Sequence, residues 1–133
     1  MTGFPRAARL LVPTDFRRVF ERRLASRGEY FMLHQRPADP ADPLPATRAR
    51  LGIVIPKKLL KTAVHRNLLK RLAREVFRRQ APQLPPADLI VRLARKIDPA
   101  AGPIDRRAIT ADLGALFDRF ARRGRAATSP VPR

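Results

Sequence analysis

Residues 57–79 carry nine Lys or Arg and a single acid, Glu75. At about 100° per residue, a helix over this segment places most of its cations on one arc and its apolar side chains on the opposite arc. The polar arc contains Arg66, Asn67, Lys70, Arg71, Arg74 and Arg78, and the apolar arc contains Leu69, Leu72, Ala73 and Val76. Because few acids stand at the spacing that pairs charges along a helix, we expect an anionic partner to neutralise this face.

The whole chain is strongly basic, with 29 Lys+Arg against 11 Asp+Glu and a formal net charge of +18 on 133 residues. Self-repulsion at this charge density disfavours the compact state unless a polyanion is bound. Nucleic acid is the commonest such partner, since cationic side chains neutralise its phosphates. Arginine supplies most of the cations, which suits contacts with phosphates and base edges.

Several classes of chemistry are excluded by composition. The absence of cysteine excludes disulfides, thiolate metal sites and cysteine nucleophiles. No apolar segment resembles a signal peptide or reaches the ~20 residues of a membrane span, so we expect a soluble, cytoplasmic protein. His34 and His65 are far apart and no catalytic motif is present, so we expect no catalytic side chain. We interpret His65 as a helix-face residue, and Asp39 and Asp42 as solvated loop acids.

The pattern predicts one α+β domain at residues 14–122, between a basic arm at 1–13 and a flexible tail at 123–133. The predicted order is α-β-β-α-β-α, with a small mixed sheet and packed helices. Helices are expected from Thr14 to about Ser26–Gly28, at 60–80 and at 103–122, and strands at 30–35, 48–55 and 88–93. Residues 37–47 carry four prolines and predict an exposed hairpin connection of unusual length.

Two aromatic residues in the first helix, Phe16 and Phe20, stand at i,i+4. Either both are core residues, or their edges line a groove where bases stack beside cations. In the strand at 30–35, period-2 alternation separates Phe31 and Leu33, the better core pair, from Met32 and His34. We expect Met32 and His34 to lie on a partly open face that belongs to the same groove.

The segment R-L-G-I-V-I-P-K-K-L-L-K-T-A-V-H-R-N-L-L-K-R-L-A-R-E-V-F-R resembles the protein subunit of bacterial ribonuclease P. That family shows R-x-G-x-x-V-x-K-K, a short spacer and then A-V-x-R-N-x-x-K-R-x-x-R-E-x-F-R. The upstream D-F-R-R-V-F and the downstream L-P-P-A-D-L-I-V-R-L-A also fit, so the resemblance covers about residues 9–122. The chain departs from the family pattern at Leu68, Pro56 and His34.

The resemblance implies an accessory protein that assists a catalytic RNA in removing the 5′ leader from precursor tRNA. The RNA would bind the Mg²⁺ that performs the chemistry, so the protein alone is not expected to cleave. The expected partners are the catalytic RNA and precursor tRNA, without a membrane or an obligate protein partner. The family fold also implies a left-handed β-α-β crossover, against the strong general preference for the right hand.

The same resemblance carries functional roles to individual residues. The expected contacts of the motif helix with RNA are Lys57, Lys58, Arg66, Asn67, Lys70, Arg71 and Arg74. The expected leader cleft consists of Phe16, Phe20, Met32 and His34. Asn67 also matches a place near the helix start where the family can hold a metal ion.

Two other classes of protein fit parts of the pattern. A ribosomal protein or a general RNA chaperone would show the same charge without a leader cleft, and it would co-sediment with ribosomes. A helix-turn-helix DNA-binding protein would need a companion helix just before the basic helix, and the sequence predicts none there.

Overall fold

The structure, a computed structural model, describes residues 13–43 and 45–128, with side chains as far as Arg123. Its elements are α1 (Pro13–Glu21), β1 (Ala25–Arg27), β2 (Phe31–Pro37), β3 (Ala49–Val54), α2 (Ala63–Gln80), a 3₁₀ turn (Ala81–Gln83), β4 (Ala87–Leu93) and α3 (Arg106–Thr128). The predicted α+β class with a small mixed sheet is confirmed. Of the predicted arm only Pro13 lies within the described residues, and of the predicted tail residues 129–133 lie outside them.

The four strands form one sheet in the order β1-β2-β4-β3. β2 pairs antiparallel with both β1 and β4, whereas β3 pairs parallel with β4. Because β4 lies between β2 and β3, the predicted hairpin across residues 37–47 is wrong. This segment instead passes over the start of β4, where Pro37 and Ala49 both stand in register with Ala87.

The first helix is shorter than predicted, and a short strand follows it. α1 ends at Glu21, and Arg23 then adopts a left-handed conformation with φ 54°. β1 occupies residues where the helix was expected to continue, and its buried Ser26 accepts a hydrogen bond from Gln35 Nε2 at 2.8 Å. This edge strand is specified by its partner β2, since three residues are too few for a periodic pattern of their own.

One face of the sheet packs against α2 and α3. Phe31 and Leu33 are fully buried there, as predicted, together with alternate residues of β4. α2 contributes the predicted apolar arc and, in addition, Phe77: its buried residues are Leu69, Leu72, Ala73, Val76 and Phe77. Phe77 meets Phe117 of α3 edge to face, with ring centroids 5.7 Å apart. The main core is therefore sandwiched between the sheet and these two helices.

The start of β2 is fixed to α3 by a single carboxylate. Asp112 accepts backbone hydrogen bonds from Glu29, Tyr30 and Phe31 at 2.7, 2.9 and 3.0 Å. Gly28 has to lack a side chain, because a Cβ there would lie 2.3 Å from Asp112 Oδ1. This close approach holds the end of the β1–β2 turn against the helix.

The connection β3–α2–β4 joins two adjacent parallel strands. Its left hand stays a prediction. Within the described ranges, no helix combines the length and the apolar character needed to cross a membrane.

Candidate nucleic-acid interface

The second face of the sheet is covered only in part, by α1. Val19 is fully buried against Ile90, and Phe16 and Val54 pack around this pair while remaining partly exposed. This short helix has one fully buried side chain, and Met32, His34 and Arg92 on the same face of the sheet remain partly exposed. We call the surface between α1 and these residues the groove. Phe16 thus lies between the small core under α1 and the groove.

Phe20 and His34 form the wall of this groove. The Phe20 side chain is 37% exposed, and its ring meets the imidazole of His34 at a centroid distance of 4.8 Å and an interplanar angle of 78°. Edge-to-face contact is a favoured geometry for aromatic pairs. The structure therefore brings together two of the four residues predicted for the leader cleft, and it keeps both partly accessible.

Arg92 contacts both His34 and Met32, the two residues of β2 that were predicted for the leader cleft. Its Nε donates a hydrogen bond to His34 Nε2 at 3.1 Å, and its Nη2 lies 3.1 Å from Met32 Sδ. Burial and the nearby Arg92 charge lower the pKa of His34 from 6.5. Arg92 was not among the site residues predicted from the sequence. Alternation within D-L-I-V-R-L places it on the same face as Ile90, but its pairing with β2 has no local signal.

At the far end of the same face, a buried carboxylate neutralises two arginines. Asp88 is only 1% exposed; Arg50 donates to it from Nε at 2.8 Å and from Nη2 at 2.9 Å, and Arg36 Nη1 lies 3.5 Å away. Arg50 also reaches Asp15 of α1 at 3.4 Å, and its hydrogen bond to Asp88 raises its pKa. This network ties α1, β2, β3 and β4 together.

The proline-rich segment 37–47 takes part in the network through Asp42, which pairs with Arg36. The interpretation of Asp42 as a solvated acid is therefore wrong, because its side chain is only 12% exposed in this ion pair. Asp39 acts locally: its side chain accepts from the Ala41 N–H at 2.9 Å, as expected for a turn.

The outer face of α2 presents the motif residues. Lys57 and Lys58 are exposed in the turn before the helix, Asn67 and Arg71 are exposed on it, and Lys70 and Arg74 are half-buried beside the buried arc. No ion pair joins any of these cations to a carboxylate in the described part of the chain. The motif face therefore displays uncompensated positive charge.

Arg66 differs from the other motif cations because its guanidinium is engaged within the chain. Its Nη1 donates to the carbonyl oxygens of Leu60 and Lys61, at 3.0 and 2.6 Å. The side chain thus braces the turn that carries Lys57 and Lys58 onto the first turn of α2. His65, the neighbouring residue, is partly buried, as expected of a residue at the edge of the helix face.

The groove and α2 lie on opposite faces of the sheet, yet they approach each other at one end of it. Met32, Arg92 and Val54 stand in one register row at the carboxyl end of β3. From Val54 the chain runs through Ile55 and Pro56 directly to Lys57. The groove therefore ends close to the lysines that precede α2.

The described residues do not provide enough metal ligands in one place to form a metal site. No three His, Asp or Glu side chains cluster closely enough among residues 13–43 and 45–128 to hold an ion. Asn67 offers a single amide oxygen and stands between cations, with Arg66 and Arg71 close by on the helix. Mg²⁺ takes six oxygen ligands, so Asn67 alone does not make a magnesium site, and water or RNA oxygens would have to supply the other ligands.

The fold and its two surfaces define a small basic nucleic-acid-binding protein that offers an aromatic groove and a cationic helix. The family model described as Ribonuclease P matches residues 4–121. The chain belongs to the ribonuclease P protein family.

Relatives and solved structures agree with this membership. The ribonuclease P protein component of Azoarcus sp. (strain BH72) is 49% identical over 114 residues, covering 86% of this chain and 87% of the relative. That of Bordetella parapertussis is 43% identical over 118 residues, covering 89% and 95%. The ribonuclease P protein of Thermotoga maritima, in complex with 1-(4-fluorophenyl)-2-thiourea, has a TM-score of 0.67 at 31% identity, covering 84% and 98%.

The predicted family is thereby confirmed, and with it the role of accessory protein in tRNA 5′ processing by ribonuclease P. The alternative of a ribosomal protein or general RNA chaperone is not favoured. Membership of this family implies a partner RNA subunit and a tRNA substrate.

Proposed function

We propose that this chain binds the single-stranded 5′ leader of precursor tRNA in the groove between α1 and the sheet, while α2 binds the catalytic RNA. The proposal rests on one observation: the rings of Phe20 and His34 are in contact, partly exposed, and adjacent to the guanidinium of Arg92. Proteins that hold single strands combine aromatic side chains, on which bases stack, with cations that follow the backbone. The groove offers both within one short stretch of surface.

The motif helix suits a different kind of RNA surface. Its cations form no ion pair with a carboxylate among the described residues. They are Lys57 and Lys58 in the turn before α2, and Lys70, Arg71 and Arg74 on the helix. Such an array favours the phosphates of a folded RNA, where the backbone is dense and bases are paired. Asn67 adds one neutral amide to this face, and Arg66 supports it from within the chain.

Because the two surfaces meet at the carboxyl end of β3, one protein can contact the leader and the catalytic RNA together. The leader then passes from the groove toward the RNA that cleaves it. Mg²⁺ is held mainly by the RNA, and the protein's cations take over part of its screening of phosphate repulsion. The working location is the cytoplasm. Residues 14–122 form the binding domain, and neither a membrane nor an obligate protein partner is required.

The test compares dissociation constants of precursor and mature tRNA for the catalytic RNA alone and for the assembled particle. We expect the protein to add a preference for precursor, because mature tRNA has no leader to occupy the groove. The purified protein without RNA should not cleave precursor at any Mg²⁺ concentration. An unchanged precursor-to-mature ratio on adding protein would exclude the groove as the leader site.

A further inference from the structure

The charge of Arg92 has no counterion in the described part of the chain. Arg36 and Arg50, which project from the same sheet face, are neutralised by Asp88, Asp42 and Asp15. Among the described residues, the side-chain hydrogen bonds of Arg92 go to two groups without negative charge, His34 Nε2 and Met32 Sδ. A half-buried guanidinium without an acid retains its attraction for an external anion.

The surroundings of Arg92 restrict which anion can reach it. Arg92 stands between Met32 and Val54 in its register row. His34, whose ring meets Phe20, lies two rows away on the same face of the sheet. An arginine has five N–H donors, and the contacts to His34 and Met32 use two groups of its fork. Among the described residues no hydrogen bond uses Arg92 Nη1, so its N–H groups can donate to a phosphate.

We propose that Arg92 binds a backbone phosphate of the leader and, at the same time, positions His34 as a neutral ring against Phe20. This inference rests on the proposed leader-binding function of the groove and adds to it a residue and a contact. Donation from Arg92 Nε requires a lone pair on His34 Nε2, so the proton of the neutral imidazole resides on Nδ1. Arg92 thus has two roles: it supplies a positive charge to the groove, and it selects the Nδ1–H tautomer of His34.

The binding part of the proposal is tested by the salt dependence of precursor affinity in the assembled particle. Loss of one single-strand phosphate contact should reduce the slope of log K against log salt by about 0.7. Arg92→Leu should show this change and bind precursor roughly tenfold more weakly or worse, as expected for a lost charged hydrogen bond. Mature tRNA should be bound as by wild type. Arg92→Lys should restore the slope, because it returns the charge.

The positioning part has a spectroscopic readout that a merely structural role would not give. The ¹⁵N shifts of the His34 ring should report the Nδ1–H tautomer in wild type. In Arg92→Leu the Nε2 atom loses its donor, so a fraction of Nε2–H should appear. Wild-type ring shifts in Arg92→Leu would refute the positioning role.

A matched control is Arg106→Leu, which removes one charge from the start of α3, on the opposite side of the sheet. It should leave the precursor-to-mature ratio unchanged. If Arg92→Leu does not fold, Arg92→Gln is measured instead, since it removes the charge and keeps a polar side chain. If a folded Arg92 variant keeps the wild-type precursor-to-mature ratio and the wild-type slope of log K against log salt, this inference is wrong while the proposed function still stands. A wild-type particle without precursor preference would instead overturn the proposed function.

Discussion

The ring of Phe20 on α1 meets the imidazole of His34 on β2 edge to face, with their centroids 4.8 Å apart. This contact joins the helix to the open face of the sheet at a place where both side chains remain partly exposed. Phe16, one turn earlier, packs instead around Val19 and Ile90. The two phenylalanines of α1 therefore have different environments, and substitutions at Phe20 can be read as changes in binding more directly than substitutions at Phe16.

Phe20→Ala should weaken binding of precursor tRNA by about 1–3 kcal/mol, the contribution of one base–aromatic stack. Its cost in folding stability should stay below the about 3–5 kcal/mol of a fully buried Phe→Ala change, because Phe20 is 37% exposed. Dissociation constants for precursor and mature tRNA, measured alongside a thermal melt, separate the two effects. A variant with normal melting and the wild-type precursor preference would remove Phe20 from the groove.

Leu69→Ala provides the core control for that experiment. Leu69 is fully buried in the face of α2 that packs on the sheet. Its truncation should cost about 2–5 kcal/mol of unfolding free energy. At a temperature where the protein remains folded, the precursor-to-mature ratio should stay as in wild type, since the groove lies on the other face of the sheet.

The pH dependence of stability should include a contribution from His34. Its pKa is lowered in the folded chain by burial and, to a smaller extent, by Arg92. The unfolded state consequently binds more protons at His34 as pH falls below 6.5, so stability decreases on acidification through that window and is fully present above it. Denaturant titrations at pH 7 and pH 5 should show a smaller loss in His34→Phe than in wild type. An equal loss in both proteins would contradict the lowered pKa.

The two faces of α2 and the alternation in β2 were predictable from sequence because both are local patterns. α2 has 18 residues, which is enough turns to show clearly that Leu69 and Leu72 lie on the face opposite the motif cations. Likewise, Phe31 and Leu33 are more apolar than Met32 and His34, which fixes the face of β2 that packs inward. Family resemblance then supplied roles that no periodicity contains.

Other features depend on pairings between distant segments. β4 inserts between β2 and β3, so these two consecutive strands are not neighbours, and no short-range signal distinguishes this order from a hairpin. Arg92 meets His34 across 58 positions of sequence, and Asp42 binds Arg36 only because the segment after β2 folds back. The contact between Arg92 and His34 follows from strand register, which a single sequence does not reveal.

Asp88→Ala should be among the most destabilising single substitutions outside the apolar core. It leaves Arg50 and Arg36 without their shared, buried partner on β4. Removing one member of a buried ion pair costs about 3–5 kcal/mol, and the lower end applies here because Arg50 is 32% exposed to water. The measurement is the free energy of unfolding by denaturant. The double variant Asp88→Leu with Arg50→Leu should recover part of the loss, because it no longer leaves Arg50 unpaired.

Lys70→Ala combined with Arg71→Ala should weaken binding of the catalytic RNA and lower the salt dependence of that binding. Each lost phosphate contact on duplex RNA should reduce the slope of log K against log salt by close to one, taking the value for duplex DNA. The fold should survive, since Arg71 is exposed and Lys70 is only half-buried on the outer face of α2. Arg79→Ala is the matched control: it removes an exposed cation from the same helix, outside the motif face. If the double variant keeps the wild-type affinity and slope, or if Arg79→Ala lowers both to the same extent, the motif face is not the specific contact with the catalytic RNA.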